Sequence, residues 1–441
     1  MFVSIPLFEH TKLNFSEITD TVVSEKFLND NNFVLNIEHF LERNNLDNVI
    51  SFDRAHIKPT HYVGVIKYKN IQFEILPKLL GKNDSREQIL KNLLYMLSYT
   101  KQLDIKDNEV ANITSCPNPF IETLIRVFAN RLFDALKRFI PKNYEICEEN
   151  TSAFKGKLKI AENIRYNLAN KAKFFCEFDS FTEDTELNQL FLYVATRLQS
   201  VSQDAHNKKI LKFIINIYSD ISFKHFTKHD LKRIRLNRSQ QVFAQPFNLA
   251  KMFLEHSSVD MSKHQFDNIA LIWDMNLLFE EFVFEFLKRN CESIGIYDVQ
   301  YQKGRRLLES TDNQHYYANT FVDMFVKKEK KKPGIVIDTK YKLKSGDRGD
   351  FDNADIFQVV TYCKLHNSGK AILLYPATDE TVQEKHRYKL NVDEDTKKKN
   401  TTEKDVYVTT AQINLQQDLK TADLIGTFQT ILDIKKKQEK M

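Results

Sequence analysis

The stretch that most constrains this chain runs from Phe321 to Lys342. Phe321-Val322-Asp323-Met324-Phe325-Val326 is apolar except for one aspartate, and Ile335-Val336-Ile337-Asp338-Thr339-Lys340-Tyr341-Lys342 carries a second one. A lysine-rich segment ending in Pro333-Gly334 joins them. Two β-branched runs of strand length around such a turn predict a β-hairpin. A lone carboxylate inside an apolar strand is costly to bury unless it is paired or holds a metal. Two of them, one per neighbouring strand, can converge on a single divalent cation. Lys340 follows Asp338 by two residues, so both side chains leave the same strand face. Oxygen ligands suit a hard ion such as Mg²⁺, which keeps several waters. An ammonium beside such a pair suits attack by water on a phosphodiester, because it can stabilise developing charge or position the water. The competing expectation, a surface hairpin with solvated aspartates, fits one such residue better than an Asp followed by Asp-x-Lys in paired strands.

Asp323 with Asp338-Thr339-Lys340 resembles the core of the PD-(D/E)XK nuclease superfamily, with Val322 where proline is usual. That resemblance implies a restriction-endonuclease-like domain, a central mixed sheet flanked by helices, expected here over residues 256–441. It implies a further glutamate from a preceding helix, and Leu277-Leu278-Phe279-Glu280-Glu281-Phe282-Val283 fits that place. Adjacent helical residues point about 100° apart, so only one of Glu280 and Glu281 can face the site. Glu280 is the expected one, assisting through the metal or the water. The RecB-like branch carries Gln-x-x-x-Tyr on a following helix, and Gln358-Val359-Val360-Thr361-Tyr362 matches it. Residues four apart share a helix face, and Gln358 is expected to orient a phosphate or a catalytic group. The expected catalytic set is thus Asp323, Asp338, Lys340, Glu280 and Gln358, with Asp323, Asp338 and Glu280 toward Mg²⁺.

Residues 1–85 read as a β-rich module. Tyr62 to Tyr68 and Ile71 to Leu76 flank Lys69-Asn70 as a hairpin, and Ile37 to Glu42 as a short helix. Residues 86–255 read as a helical, partner-docking region. Apolar residues recur at three- and four-residue intervals from Ile89 to Leu97 and from Ile121 to Leu136. Asn118 or Pro119 opens the second of these helices. Asp184 or Thr185 is the expected cap of a helix over 188–198, and 208–218 continues the pattern. Lys232, Arg233, Arg235 and Arg238 form a basic stretch that either contacts nucleic acid or an acidic partner or is simply a charged face. Breaks are expected between about 245 and 265, followed by a helix over 269–288 and a strand over 294–302. Lys303-Gly304-Arg305-Arg306 then reads as a basic DNA-contacting loop or a solvated turn. After the hairpin come a polar loop at 346–352, the helix of Gln358, a strand at 370–376, a charged excursion over 378–404, a strand at 405–413 and a helix at 422–434. The fold class expected is mixed, α/β within the C-terminal domain and α+β across the chain.

Gln72-Phe73-Glu74-Ile75-Leu76-Pro77-Lys78, Asn92 to Tyr99, Phe154-Lys155-Gly156-Lys157-Leu158 and Asp184-Thr185-Glu186-Leu187-Asn188 stand in the order seen in the McrC family. With the nuclease core, the resemblance spans about residues 60 to 420. It implies the endonuclease subunit of a McrBC-like restriction complex that cleaves modified double-stranded DNA. It further implies a partner, an McrB-like AAA+ GTPase ring whose GTP hydrolysis the subunit stimulates. The chain has no G-x-x-x-x-G-K-[ST], so GTP is expected on the partner and not on this chain.

The remaining composition only bounds the reading. At 441 residues the chain exceeds what one core usually serves. A net charge of +5 permits nucleic-acid binding without arguing for it. Five scattered cysteines without C-x-x-C (Cys116, Cys147, Cys176, Cys291 and Cys363) argue against a disulfide framework or a structural zinc site and fit a reducing cytoplasm. No run of about 18 apolar residues predicts a membrane span. Two other functions compete: a non-cleaving, GTPase-stimulating adaptor of a defence complex, and a stand-alone RecB-type repair nuclease. Intact Asp323, Asp338 and Lys340 weigh against the first, and the long N-terminal half against the second.

Overall fold

A computed structural model of the chain describes residues 3–77, 86–100, 119–227, 229–255, 257–258, 269–309, 317–342, 352–377, 386–390, 405–420 and 422–434. The chain forms two compact units. Met1–Thr114 and Ala270–Met441 make the first, and Ser115–Ile269 the second. The helix beginning at Arg86 therefore belongs with the first unit and not with the helical region that follows it in sequence.

The first unit opens with β1 (Val3–Phe8), β2 (Leu13–Asn14), α1 (Thr21–Asn29) and α2 (Asn31–Arg43). Then come β3 (Ile50–Phe52), β4 (His56–Pro59), β5 (Tyr62–Tyr68), β6 (Ile71–Leu76) and α3 (Arg86–Thr100). Asp20 and Asp30 cap α1 and α2 by accepting from the backbone N–H of Val23 and Phe33. The predicted hairpin β5–β6 is antiparallel, with Gly64 opposite Ile75, and β1 adds to β6 in parallel. Phe15, Phe27, Ile37, Leu41, Ile57, Ile66 and Phe73 are buried together beneath this sheet.

The second unit contains α4 (Pro119–Leu136), β7 (Asn143–Thr151), β8 (Lys157–Leu158), α5 (Ile160–Asn167), β9 (Phe174–Thr182), α6 (Glu186–Val201), α7 (Ala205–Ile217), α8 (Ala244–Glu255) and β10 (Ser257–Ser258). The apolar spacing predicted in α4 and the helix predicted over 188–198, within α6, form the core, where Leu124, Phe128, Leu132, Leu190 and Phe191 have no exposed surface. Thr185 caps α6. Glu122 on α4 is buried and accepts from Ser202 Oγ and Asn207 Nδ2, each at 2.7 Å, which ties the start of α7 to α4. The antiparallel sheet β7-β9-β8 has no counterpart in the sequence reading. Its apolar side chains largely face solvent, so no buried alternation marked it as strands.

The chain re-enters the first unit through β11 (Ile269–Asp274), followed by α9 (Met275–Arg289), α10 (Cys291–Ile294), β12 (Asp298–Glu309), β13 (Tyr317–Lys327), β14 (Ile335–Thr339), α11 (Asn353–Leu365), β15 (Lys370–Ala377), β16 (His386–Lys389), β17 (Tyr407–Asn414) and α12 (Leu424–Ile431). The helix predicted over 269–288 thus begins with a strand. Ile269-Ala270-Leu271-Ile272-Trp273 is continuously apolar, and periodicity alone cannot separate a buried strand from a helix. β11 adjoins β5 in the N-terminal sheet, following β1, β6 and β5 in its order. Asp274 then caps α9 by accepting from Asn276 and Leu277. The basic residues Lys303 to Arg306 lie in strand β12, paired with β13, rather than in a loop or turn. The C-terminal sheet is mixed, in the order β12-β13-β14-β15-β17-β16, with β14, β15 and β17 parallel. α11 packs on it over Val322, Phe325, Val336, Val359, Tyr362 and Leu373. The expected fold class therefore holds. Residues 346–351, 378–385 and 391–404, together with Asn118, Cys116 and His256, lie outside the described residues.

Gly64 decides how closely β11 approaches. Its φ is +134°, and a Cβ there would stand 2.0 Å from the Leu271 carbonyl oxygen. Strain and clash of this kind cost about 2–4 kcal/mol. Gly64→Ala should therefore lower the thermal midpoint of the first unit by several degrees, measured by circular dichroism. A wild-type melt would show that β11 has room to move.

Candidate active site

The hairpin β13–β14 brings the two aspartates together. Phe325 pairs with Val336 and Met324 with Ile337. The next step in this antiparallel register sets Asp323 opposite Asp338, where facing side chains share one side of the sheet. β14 is an interior strand between β13 and β15, so Asp338 has no exposed surface, while Asp323 is partly covered. Asp323 Oδ2 accepts from the Thr339 backbone N–H at 2.9 Å and from Thr339 Oγ1 at 3.0 Å. Those bonds fix its rotamer beside Thr339, the residue after Asp338. Asp338 Oδ1 is buried without a hydrogen-bond partner among the described residues, and Lys340 Nζ stands 2.9 Å from Oδ2.

Lys340 lies just past the end of β14 and is held on its other side by α11. Gln358 Oε1 accepts from Lys340 Nζ at 3.0 Å, and Gln358 Nε2 donates to the Tyr362 hydroxyl at 2.8 Å. The Gln-x-x-x-Tyr spacing therefore acts through one turn of helix. Tyr362 orients the amide and the amide orients the lysine. Glu280 on α9 is near enough to Asp323 to feel its charge, and Gln302 Nε2 donates to Glu280 Oε1 at 3.5 Å. Of the five residues predicted from sequence, Asp323, Asp338, Lys340 and Gln358 meet directly, and Glu280 borders them.

Several neighbours were not singled out in the sequence. Asp355, on the same face of α11 as Gln358, reaches Lys340 Nζ at 3.7 Å and Lys342 Nζ at 2.7 Å; its i,i+3 spacing from Gln358 was the available signal. Gln302 sits at φ +42° within β12, in the left-handed region where a side chain is rare. Nothing in the sequence marks it. The Tyr341 hydroxyl donates to Glu9 Oε2 at 3.3 Å, and its ring lies 5.9 Å from that of Phe279. Tyr341, the residue after Lys340, thereby touches both Phe279, the residue before Glu280, and Glu9, which follows β1. Lys303 lays its ammonium 4.0 Å from the Phe325 ring centroid. Lys330 and Lys331 at the hairpin tip are exposed.

The electrostatics follow from burial and like charge. Burial, then the neighbouring Asp323 carboxylate, pushes Asp338 up to about 7. The same two causes push Glu280 up to about 6. Burial raises Asp323 against the pull of its Thr339 hydrogen bonds and of Lys340. Lys340 is raised in turn: burial opposes its charge, but Asp338, Asp355 and Asp323 outweigh that. Among the described residues no group of three or more His, Cys, Asp or Glu is arranged to hold a metal. The site instead offers a facing aspartate pair, all-oxygen donors and one orphaned carboxylate oxygen, which fits an ion that retains several waters.

Carboxylates raised in the folded state stabilise it fully only below their unfolded pKa, and that contribution is lost as pH rises through the folded value. For Asp338 and Glu280 the window runs from about 4 to about 7. With chelator present, thermal midpoints should fall between pH 5 and pH 8. Asp338→Asn should flatten that fall, and added Mg²⁺ should reverse it. A wild-type profile no steeper than that of Asp338→Asn would mean that this carboxylate ionises without penalty.

Comparison with known proteins places this geometry in context. A solved half-complex from a tetradecameric assembly of Thermococcus gammatolerans McrB AAA+ hexamers with bound McrC contains a chain of similar fold. The TM-score is 0.70 at 19% identity, covering 98% of this chain and 99% of that one. A chain in the cryo-EM structure of the Thermococcus gammatolerans McrBC complex is similar with a TM-score of 0.51 at 24% identity, over 66% of this chain and 88% of that one. At these identities the likeness is one of fold. No curated protein matches the chain in sequence. The family model for the McrBC 5-methylcytosine restriction system component matches residues 57–376, well over half of the sequence, and the chain belongs to that family.

Proposed function

We propose that this chain is the McrC-type, Mg²⁺-dependent endonuclease subunit of a McrBC-like complex that cleaves modified double-stranded DNA. The observation that carries the reading is the convergence of Asp323, Asp338, Lys340 and Gln358 from two strands and a helix onto one point of the mixed sheet. Asp323 and Asp338 would hold the ion, with Glu280 bordering it. A bound Mg²⁺ supplies Lewis acidity that offsets phosphate charge and makes a nearby water more acidic. The chain's own residues do the rest. Thr339 fixes Asp323. Lys340 carries a fixed positive charge to the phosphate oxygens, and Gln358, itself held by Tyr362, sets the direction of that charge. Glu280, pushed up to about 6, can hold or release a proton near neutral pH beside Asp323.

A GTPase partner is the second part of the proposal. The similar structure contains McrB AAA+ hexamers with bound McrC, and this sequence lacks a P-loop motif of its own. The second unit carries a surface suited to a partner. Tyr144, Ile146, Phe154, Ile160, Ile164, Tyr166, Leu168 and Phe181 on β7, β9, α5 and the adjoining turns are all more than half exposed. Several large apolar side chains left in solvent on one small sheet and its neighbouring helix are the kind of surface that a partner covers. Through it the chain would dock on the ring and stimulate its GTP hydrolysis. Among the described residues no helix is long and apolar enough to cross a membrane.

The test is cleavage of methylated and unmethylated DNA by the purified chain with its AAA+ partner, GTP and Mg²⁺. Asp338→Ala and Lys340→Ala should each lower cleavage by roughly 10²–10³-fold or more while still co-purifying with the partner. Wild-type cleavage by Asp338→Ala would remove the assignment. Full cleavage without partner or nucleotide would favour a stand-alone nuclease.

A further inference from the structure

The Lys340 ammonium lies among three oxygens: Asp338 Oδ2 at 2.9 Å, Gln358 Oε1 at 3.0 Å and Asp355 Oδ1 at 3.7 Å. The nearest anion is therefore the same carboxylate that the proposed ion requires. A divalent cation and an ammonium cannot share that carboxylate without strong mutual repulsion, because the surroundings are largely dry. Asp355 offers the lysine an alternative. It is 7% exposed, so its charge must be answered from within the protein. It sits in the first turn of α11, where the helix dipole favours an anion. Lys342 holds its Oδ2 at 2.7 Å, which leaves Oδ1 turned to Lys340. Gln358, one turn on along the same face, already accepts from that ammonium.

We propose that Asp355 is a positioning residue, the carboxylate to which Lys340 transfers its ammonium as Asp338 takes up a divalent cation. The lysine then stays charged and beside the reacting phosphate instead of competing for the ion. Without the Asp355 charge, Lys340 remains on Asp338 and the ion binds less well. The inference rests on the metal-dependent reading above, and the experiment separates the two.

Mn²⁺ binding to the full-length protein, followed by electron paramagnetic resonance of the free ion, needs no cleavage activity. Asp355→Asn should raise the Mn²⁺ Kd about tenfold, the scale of one partly buried charge pair. Asp355→Glu, which keeps the charge, should restore most of the affinity. In a Lys340→Met background, Asp355→Asn should leave Kd unchanged within about twofold. An equal loss in both backgrounds would mean that Asp355 acts on the ion by its charge alone, and would overturn the transfer. So would an unchanged Kd in Asp355→Asn. Mn²⁺ binding that survives Asp338→Ala would instead overturn the metal site itself. Thermal melts of each variant separate these outcomes from loss of fold.

Discussion

Asp323 and Asp338 stand at the next step beyond the paired residues of an antiparallel hairpin, Asp338 fully buried and feeling the charge of Asp323. Two carboxylates so close disfavour joint ionisation, and each loses solvation as well. The surrounding contacts answer that repulsion. The Thr339 amide and hydroxyl both point at Asp323, the Lys340 ammonium lies on Asp338, and Gln358 steadies Lys340 from the helix. Asp338 and Glu280 both take up protons at a pH where isolated carboxyls would not. Perturbation of this kind, at a strand end and next to a residue at positive φ, is what functional sites accumulate.

The N-terminal module takes part in building this site. β11 joins the N-terminal sheet next to β5, and Asp274 at its end starts α9, which carries Glu280. The closeness of that join depends on Gly64 having no side chain. From the other direction, buried Glu9 reaches the hydroxyl of Tyr341, the residue after Lys340. Asn92 on α3 donates to the carbonyls of Leu415 and Gln417 and accepts from the amide of Leu419, so the chain after β17 is pinned to the same module. The N-terminal part of the chain thus braces both flanks of a site far away in sequence, Glu9 reaching Tyr341 across 332 residues.

The second unit has a different character. Its helices close over a well-packed core with a buried polar cluster around Glu122 and Asn207. Its small sheet leaves aromatic and aliphatic side chains in solvent. The exposed apolar side chains of the small sheet and the aspartate–lysine site thus lie in different units of the chain.

Much of the site was legible from residue order. An aspartate inside an apolar strand, an Asp-x-Lys in the next one and a Gln four residues before a Tyr are local patterns, and local geometry decides which side chains share a face. The hairpin and the shared face of Asp338 and Lys340 follow from periodicity and turn chemistry, while the fold class and the place of Gln358 are what the resemblance to the PD-(D/E)XK nucleases implies. The strand hidden in 269–274 was not legible, because a short apolar run is equally at home in either regular structure. Neither were β7 and β9, whose outward apolar residues break the usual inside–outside pattern. Asp355, Gln302, Glu9 and Tyr341 acquire their places from contacts between elements distant in the chain. Which carboxylate a lysine leans toward, and which strand a glycine lets in, are set by packing in three dimensions, and sequence spacing carries no record of that.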